Sequence, residues 1–356
     1  MRSILIRIPY SIQTIPILCN PAPSLQHLEI HAFDGVRPLP DNFLGRQAPS
    51  LRSAKFSYIC PEFESFFPLP NLTEFHLFLP ASAGPFRMGA LFRFLSDLPL
   101  LQKVHIHIRG QTVQDIPQGQ VISLESLVEL DYIYHFDDQI LPSLRLPRLK
   151  TLWVTSLGPG QVHNLADTLP RDGHALLSGV TKILYHSDIF ARSLRVKLSG
   201  NGFDVSLSEY CTTDATPADW LSDQTLIPYG QIEDLTVEGS PSTAGFPISF
   251  FALENLEVLR VAPRDPEFTE EFFRLLHPDP GTGVPCPSLR EIEYIYYGFQ
   301  EPLLTSLTSL IRERKRVGHQ LGLLCLLVGY EFGPDLVEEL REDVGEVRIR
   351  RWDEYM

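Results

Sequence analysis

The chain has 356 residues, 44% of them apolar and 21% charged, with a net charge of −14. Such a composition supports a large buried core and excludes a disordered chain, and the acidic balance disfavours nucleic acid as a partner. Five cysteines, odd in number and without a Cys-x-x-Cys pair, favour a reducing compartment and a cytoplasmic or nuclear protein.

Residues 1–22 read as an N-terminal segment or cap. Their apolar run to Leu18 is interrupted by Arg7, Pro9 and Pro16 and is followed by no small-residue cleavage site, which argues against a secretory signal. From Pro23 onward a short rhythm recurs, apolar-x-x-apolar-x-apolar, first in Leu25-Gln26-His27-Leu28-Glu29-Ile30. Eight further copies begin at Leu51, Leu72, Leu101, Leu127, Leu149, Ile232, Leu256 and Leu289. The anchors stand 26, 21, 29, 26, 22, 83, 24 and 33 residues apart, and the long interval has room for further units. Self-similarity at this period predicts an α/β leucine-rich-repeat solenoid, a horseshoe with a parallel concave sheet and helices or loops on its convex side. Within each unit, the anchor and the residues three and five positions later are expected to point inward. Many of the 30 prolines precede these strands, where a missing N–H is tolerated.

Some return segments carry a helical pattern: Phe86 to Asp97, Gln161 to Leu169, and Glu267 to His277, where Phe268, Phe272, Leu275 and Leu276 are expected to share a face. A divergent insert is expected at about 180–228 within a solenoid spanning 23–298. Val180 to Tyr185 fits a divergent repeat. Leu194–Leu198 and Phe203–Leu207 alternate around Gly200-Asn201-Gly202 and read as a hairpin or closely spaced strands. Residues 299–356 read as a C-terminal cap: a helix from about Pro302 to Arg316, a buried strand Leu321–Val328, a helix Pro334–Asp343 and a last strand Val344–Arg350. The apolar run Leu321–Val328 is far shorter than the roughly 20 residues a bilayer requires, so no membrane partner is expected.

The units Ala48-Pro49-Ser50-Leu51, Leu69-Pro70-Asn71-Leu72 and Leu146-Pro147-Arg148-Leu149 resemble the repeat region of fungal F-box and leucine-rich-repeat proteins. The stretch Leu310-Ile311-Arg312-Glu313-Arg314-Lys315-Arg316-Val317-Gly318, followed by a Leu-rich strand, is similar to the tail of that group, so the resemblance runs from about Pro23 to Trp352. It implies a protein-interaction module resembling the substrate-recognition part of a ubiquitin ligase. Members of the group usually carry an N-terminal F-box of about 45 residues that docks on the cullin adaptor. The 22 residues before Pro23 are too few for one, so the adaptor is an expected partner only with an F-box further upstream.

Residues two, four and six positions after each anchor should line the concave surface, where curved solenoids bind. The four-position column reads Glu29, Lys55, His76, His105, Asp131, Trp153, Thr236, Arg260 and Glu293; the six-position column includes His31, Phe78, His107 and Ile133. The candidate partner-binding strip is therefore Lys55, His76, Phe78, His105, His107, Asp131, Ile133 and Trp153, since Trp and Phe beside charges are typical of interface hot spots. His76, His105 and His107 on neighbouring strands make a candidate zinc site, held as an alternative to a strip without metal or cofactor, and His27 and His31 flank Glu29 in the same columns. A repeat-only remnant without a ligase role is a further alternative.

Ten carboxylates and no Lys or Arg lie between Ser199 and Leu259, read as a solvated acidic flank. The basic run Arg312–Arg316 is read as cations at a helix C-terminus, not a nuclear-import patch. The sequon Asn71-Leu72-Thr73 is read as chance because Leu72 is an anchor. No hydrolase, phosphate-loop, zinc-protease or dinucleotide motif is present, and an enzyme is not expected.

Overall fold

A computed structural model describes residues 2–8, 16–33, 35–63, 66–83, 86–109, 112–113, 115, 119–134, 140–156, 169–188, 193–200, 202–210, 227–239, 248–263, 266–279, 281, 283–296, 301–328 and 334–351. These residues form a mixed α/β structure with extensive, mostly parallel strand pairing and few helices. They fall into two compact units, Met1–Leu176 with Leu207–Glu209, and Leu177–Ser206 with Tyr210–Met356.

The first unit carries β1 (Ser3–Ile8), β2 (His27–Ala32), β3 (Ser53–Ser57), β4 (Glu74–Leu79), β5 (Lys103–Ile108), β6 (Glu129–Tyr134) and β7 (Thr151–Ser156). All pair in parallel and in chain order. Six of these strands are predicted segments, each starting two residues after its anchor. The seventh, β1, lies where only a terminal segment is expected from sequence; its Ile4, Ile6 and Ile8 stand opposite Leu28, Ile30 and Ala32.

Strands β8 (Val180–Asp188), β9 (Ser193–Gly200), β10 (Phe203–Tyr210, of which Leu207–Glu209 group with the first unit), β11 (Asp234–Gly239), β12 (Val258–Pro263), β13 (Glu291–Tyr296), β14 (Leu323–Val328) and β15 (Glu346–Arg351) follow the order β10-β9-β8-β11-β12-β13-β14-β15. Strand β8 runs parallel to β11 and antiparallel to β9, so the divergent repeat and the first arm of the expected hairpin share one sheet.

The proline before six of the nine repeated strands has a specific task. In all nine units the anchor N–H donates to the carbonyl three residues earlier, at 3.0–3.3 Å, as in Leu25 to Ala22, Leu72 to Leu69 and Leu289 to Cys286. That hydrogen bond closes a tight turn, and Pro23, Pro49, Pro70, Pro99, Pro147 and Pro287 occupy its second position, where a φ near −65° is already set. The next two amides then converge on one carbonyl of the preceding unit: those of Arg52 and Ser53 on Gln26, and those of Thr73 and Glu74 on Arg52. Turn and shared acceptor together fix the register. Both polar side chains of the Asn71 sequon serve the same stacking, Asn71 donating to Pro49 at 2.7 Å and Thr73 to Arg52 at 3.0 Å.

Every anchor, and every residue three and five positions after it, is buried. Alternation along a strand sends these to one face, and burying each large side chain contributes about 1.5–3 kcal/mol. In the first unit the core is thickened by Phe43, Phe56, Phe63, Phe75, Phe86 and Phe94, with neighbouring rings 5.4–6.1 Å apart.

Helix α1 (Met88–Ser96) begins where the Asp115 carboxylate accepts the Gly89 amide and pairs with Arg93 at 2.9 Å. The expected helix Gln161–Leu169 lies outside the described residues except for Leu169. A short helix, α2, covers Gly173–Leu177. Helix α3 (Pro266–Leu275) corrects one expectation: Phe268, Thr269, Phe272 and Phe273, continued by Leu276 just past its end, form the buried stripe, and Leu275 is 45% exposed. At 100° per residue Leu275 falls about 90° from the centre of that stripe.

Helix α4 (Glu301–Arg316) and helix α5 (Pro334–Asp343) complete the C-terminal region. The basic run is consumed internally. Arg312 pairs with Glu339 and Asp343, Lys315 with Asp343 at 3.0 Å, and Arg316 with Glu313 at 2.9 Å. Arg314 is fully buried and donates to the Pro285 and Cys286 carbonyls, both at 2.8 Å.

Candidate functional site

Strict register brings the candidate residues of the first unit into two straight rows on the sheet face opposite the core. Glu29, Lys55, His76, His105, Asp131 and Trp153 are successive partners across β2 to β7. His31, Ser57, Phe78, His107, Ile133 and Thr155 form the second row. With strands about 4.8 Å apart, each side chain lies within reach of the next. All eight residues of the predicted strip belong to these rows. Trp153, 37% exposed, is the most open of its large apolar members.

Carboxylates and imidazoles alternate through this face. Glu29 lies 2.6 Å from His31 Nε2 and 3.0 Å from Lys55. Hydrogen bonding to His31, followed by Lys55, lowers the Glu29 pKa. Glu74 lies 2.8 Å from His76 Nε2, and that hydrogen bond lowers its pKa. Burial lowers the pKa of His76 in spite of Glu74, which favours the neutral imidazole.

The His76 and His105 rings stack at 4.3 Å between centroids, with 3° between their planes. His105 Nε2 stands 3.5 Å from Glu129, and its Nδ1 stands 3.4 Å from Asp131. Asp131 also meets His107 Nε2 at 2.9 Å. Burial raises the pKa of Asp131, but the hydrogen bonds from His105 and His107 outweigh it and bring the carboxyl to about 2.

A groove of about 480 Å³ opens beside these rows, lined by His31, Lys55, Tyr58, Phe78, His105 and His107 among others. Phe78 is its aromatic centre, with the Tyr58 ring at 5.4 Å, the Arg109 guanidinium carbon at 5.8 Å and the His107 ring at 6.3 Å. Two of these groups escape strand alternation read from sequence. Tyr58 adopts a φ of 60°, which breaks the alternation after β3 and brings its ring to Phe78. Arg109 follows the end of β5. Glu74 and Glu129, two positions after their anchors, belong to the expected outer face, but their pairing with the histidines depends on neighbouring strands. His27 is exposed, and Glu29 pairs with His31.

The second unit repeats the pattern with different residues. Arg260 bridges Asp234 and Glu293, the latter at 3.0 Å, and His186 meets Glu238 at 3.1 Å. Asp234 and Glu238 from the acidic stretch are therefore ion-paired, and Asp204 lies 3.7 Å from Lys197; residues 211–226 and 240–247 lie outside the described residues.

Searches against family models and curated proteins find no match to this chain. Among the described residues, no helix is long and apolar enough to cross a membrane.

Proposed function

We infer that the chain is a leucine-rich-repeat interaction module that recognises a protein partner through the strip Lys55, His76, Phe78, His105, His107, Asp131, Ile133 and Trp153. The observation that carries this reading is the register of β3 to β7. It lays half-buried charges and imidazoles beside a groove centred on Phe78 and leaves Trp153 open, while every inward position is apolar and buried. A rigid row of aromatic and charged groups loses little conformational entropy on binding, which suits it to carry interface energy. The ion pairs within the strip hold its charges in fixed positions, and such an arrangement contributes more to partner choice and register than to affinity.

On the resemblance to fungal F-box repeat proteins, we read this partner as a ubiquitination substrate, with the cullin adaptor engaged only where an F-box lies further upstream. A binding role also fits the absence of hydrolase, phosphate-loop and zinc-protease motifs in the sequence.

The test is quantitative affinity purification with the wild type and with Trp153→Ala plus His105→Ala, both folded by circular dichroism. Partners recovered by the wild type should fall at least about tenfold with the double variant, as the loss of two hot-spot residues implies. Equal recovery of the same partners would sink the reading.

A further inference from the structure

We propose that Glu74, His76 and His105 form a binding site for one zinc ion at the edge of the groove. Their ligand atoms all lie within 4.8 Å of one another. Two donors on a tetrahedral zinc stand about 3.3 Å apart, given bonds of about 2.0–2.1 Å. The carboxylate and imidazole of β4, at 2.8 Å, have to part by about 0.5 Å to admit the ion, and the facing ligand that has to turn toward them is His105. Its Cα stands directly opposite that of His76, and both strands belong to one hydrogen-bonded ladder, so side-chain torsions alone make the adjustment.

Three further observations favour a metal over a chance cluster. Two imidazoles and one carboxylate are the set that zinc takes when it keeps a fourth position open, and nitrogen donors discriminate against calcium and magnesium. His105 is oriented as metal-bound histidines are: whichever nitrogen ligates, the other has a carboxylate within 3.5 Å, Asp131 beside Nδ1 or Glu129 beside Nε2. His76 and His105 also line the groove, so the fourth position faces space of about 480 Å³ open to water or a donor from a bound partner. His107, the third histidine picked out by spacing alone, is committed to Asp131 at 2.9 Å, and Glu74 takes its place.

The site stands independently of the protein-binding reading, because its test needs no partner. Full-length protein stripped with chelator and dialysed is titrated with zinc chloride by calorimetry, with magnesium chloride as the comparison salt, and the cobalt-loaded protein is examined for the visible absorption of a tetrahedral centre. The wild type should bind one equivalent of zinc saturably. His76→Gln, His105→Gln and Glu74→Gln should each weaken binding by about tenfold or more, in line with the loss of a ligand or its orienting partner. His31→Gln, in the same groove but outside the set, should bind as the wild type does. Melting curves identify any variant that fails to fold, and the three ligand variants allow the comparison to rest on those that do. No saturable zinc binding by the wild type overturns the proposal, as does wild-type affinity in the folded ligand variants. Equal weakening in His31→Gln also overturns it, because the ion would then be held by the groove at large.

Discussion

Asp131 Oδ2 accepts a hydrogen bond from His107 Nε2 at 2.9 Å, a diagonal contact, since the residue directly opposite His107 is Ile133. With His105 on the same oxygen, the Asp131 carboxyl titrates near 2 against an ordinary value of 3.8. A carboxyl whose folded pKa is depressed adds stability above its unfolded pKa, and that stability is lost as pH falls through the folded value. Urea unfolding between about pH 5 and pH 2 should therefore show a steeper loss of stability for the wild type than for Asp131→Asn. Carbon-detected NMR titration of His107→Ala should show the Asp131 pKa moving up toward 3.8. Identical pH slopes in wild type and Asp131→Asn would refute the assignment.

Arg314 presents a different test. Its guanidinium is fully buried and spans two carbonyls of the turn before Leu289, and burial lowers its pKa. Arg314→Ala strips the Pro285 carbonyl of its guanidinium donor, leaves the Cys286 carbonyl with the Leu289 amide alone, and opens a cavity, at a cost of roughly 2–5 kcal/mol. Arg314→Lys should recover only part of this, because one ammonium on a thinner stem does not reproduce the planar fork. Urea denaturation measures both variants, and a loss below about 1 kcal/mol for Arg314→Ala would contradict this role.

Two glycines separate backbone strain from steric conflict. Gly318, after α4, has φ of 88° and open space where a Cβ would stand, so Gly318→Ala should cost only the left-handed penalty of about 1–2 kcal/mol. Gly239, at the end of β11, has φ of 90°, and its Cβ would fall 1.7 Å from the Ser187 carbonyl oxygen of β8. Gly239→Ala should be the more damaging by thermal melting, because β8 and β11 must separate to admit the methyl group. Equal melting temperatures for the two variants would count against the close approach.

Thiol chemistry should follow burial. Cys286 is fully buried, its thiol donates to the Phe250 carbonyl at 3.3 Å, and desolvation pushes its pKa up to about 12. Burial pushes Cys60 up to about 11. In native protein at pH 8, iodoacetamide followed by peptide mass spectrometry should leave Cys286 unmodified until denaturant is added, since the thiolate is the reactive form. Rapid native labelling of Cys286 would show that this region opens.

Phe75 and Trp153 should divide stability from recognition. Phe75 is buried among Phe56, Phe63 and Phe94, so Phe75→Ala should cost about 3–5 kcal/mol. Trp153→Ala, at a position 37% exposed, should cost about 1 kcal/mol or less. A large loss of stability in Trp153→Ala would mean that the indole is packed as core.

The sequence by itself determined where each repeated strand starts and which side chains it buries. Both follow from short-range facts: a two-residue alternation of faces, a proline at the second position of a tight turn, and an apolar rhythm that returns every few tens of residues. The same alternation made the outer rows legible, including Phe78, His105, Asp131 and Trp153. Only the tertiary structure decided which of those residues meet. Glu74 with His76 and His105, Asp131 with His107, and Arg314 with the turn at Pro285 and Cys286 depend on strands, turns and helices brought together from distant parts of the chain. Leu275 left its expected face because helix packing chose a stripe that also buries Thr269 and Phe273, and Tyr58 joined the groove through a positive φ that no residue-type pattern announces. Periodicity specifies direction from a backbone; contact distance belongs to the neighbouring element.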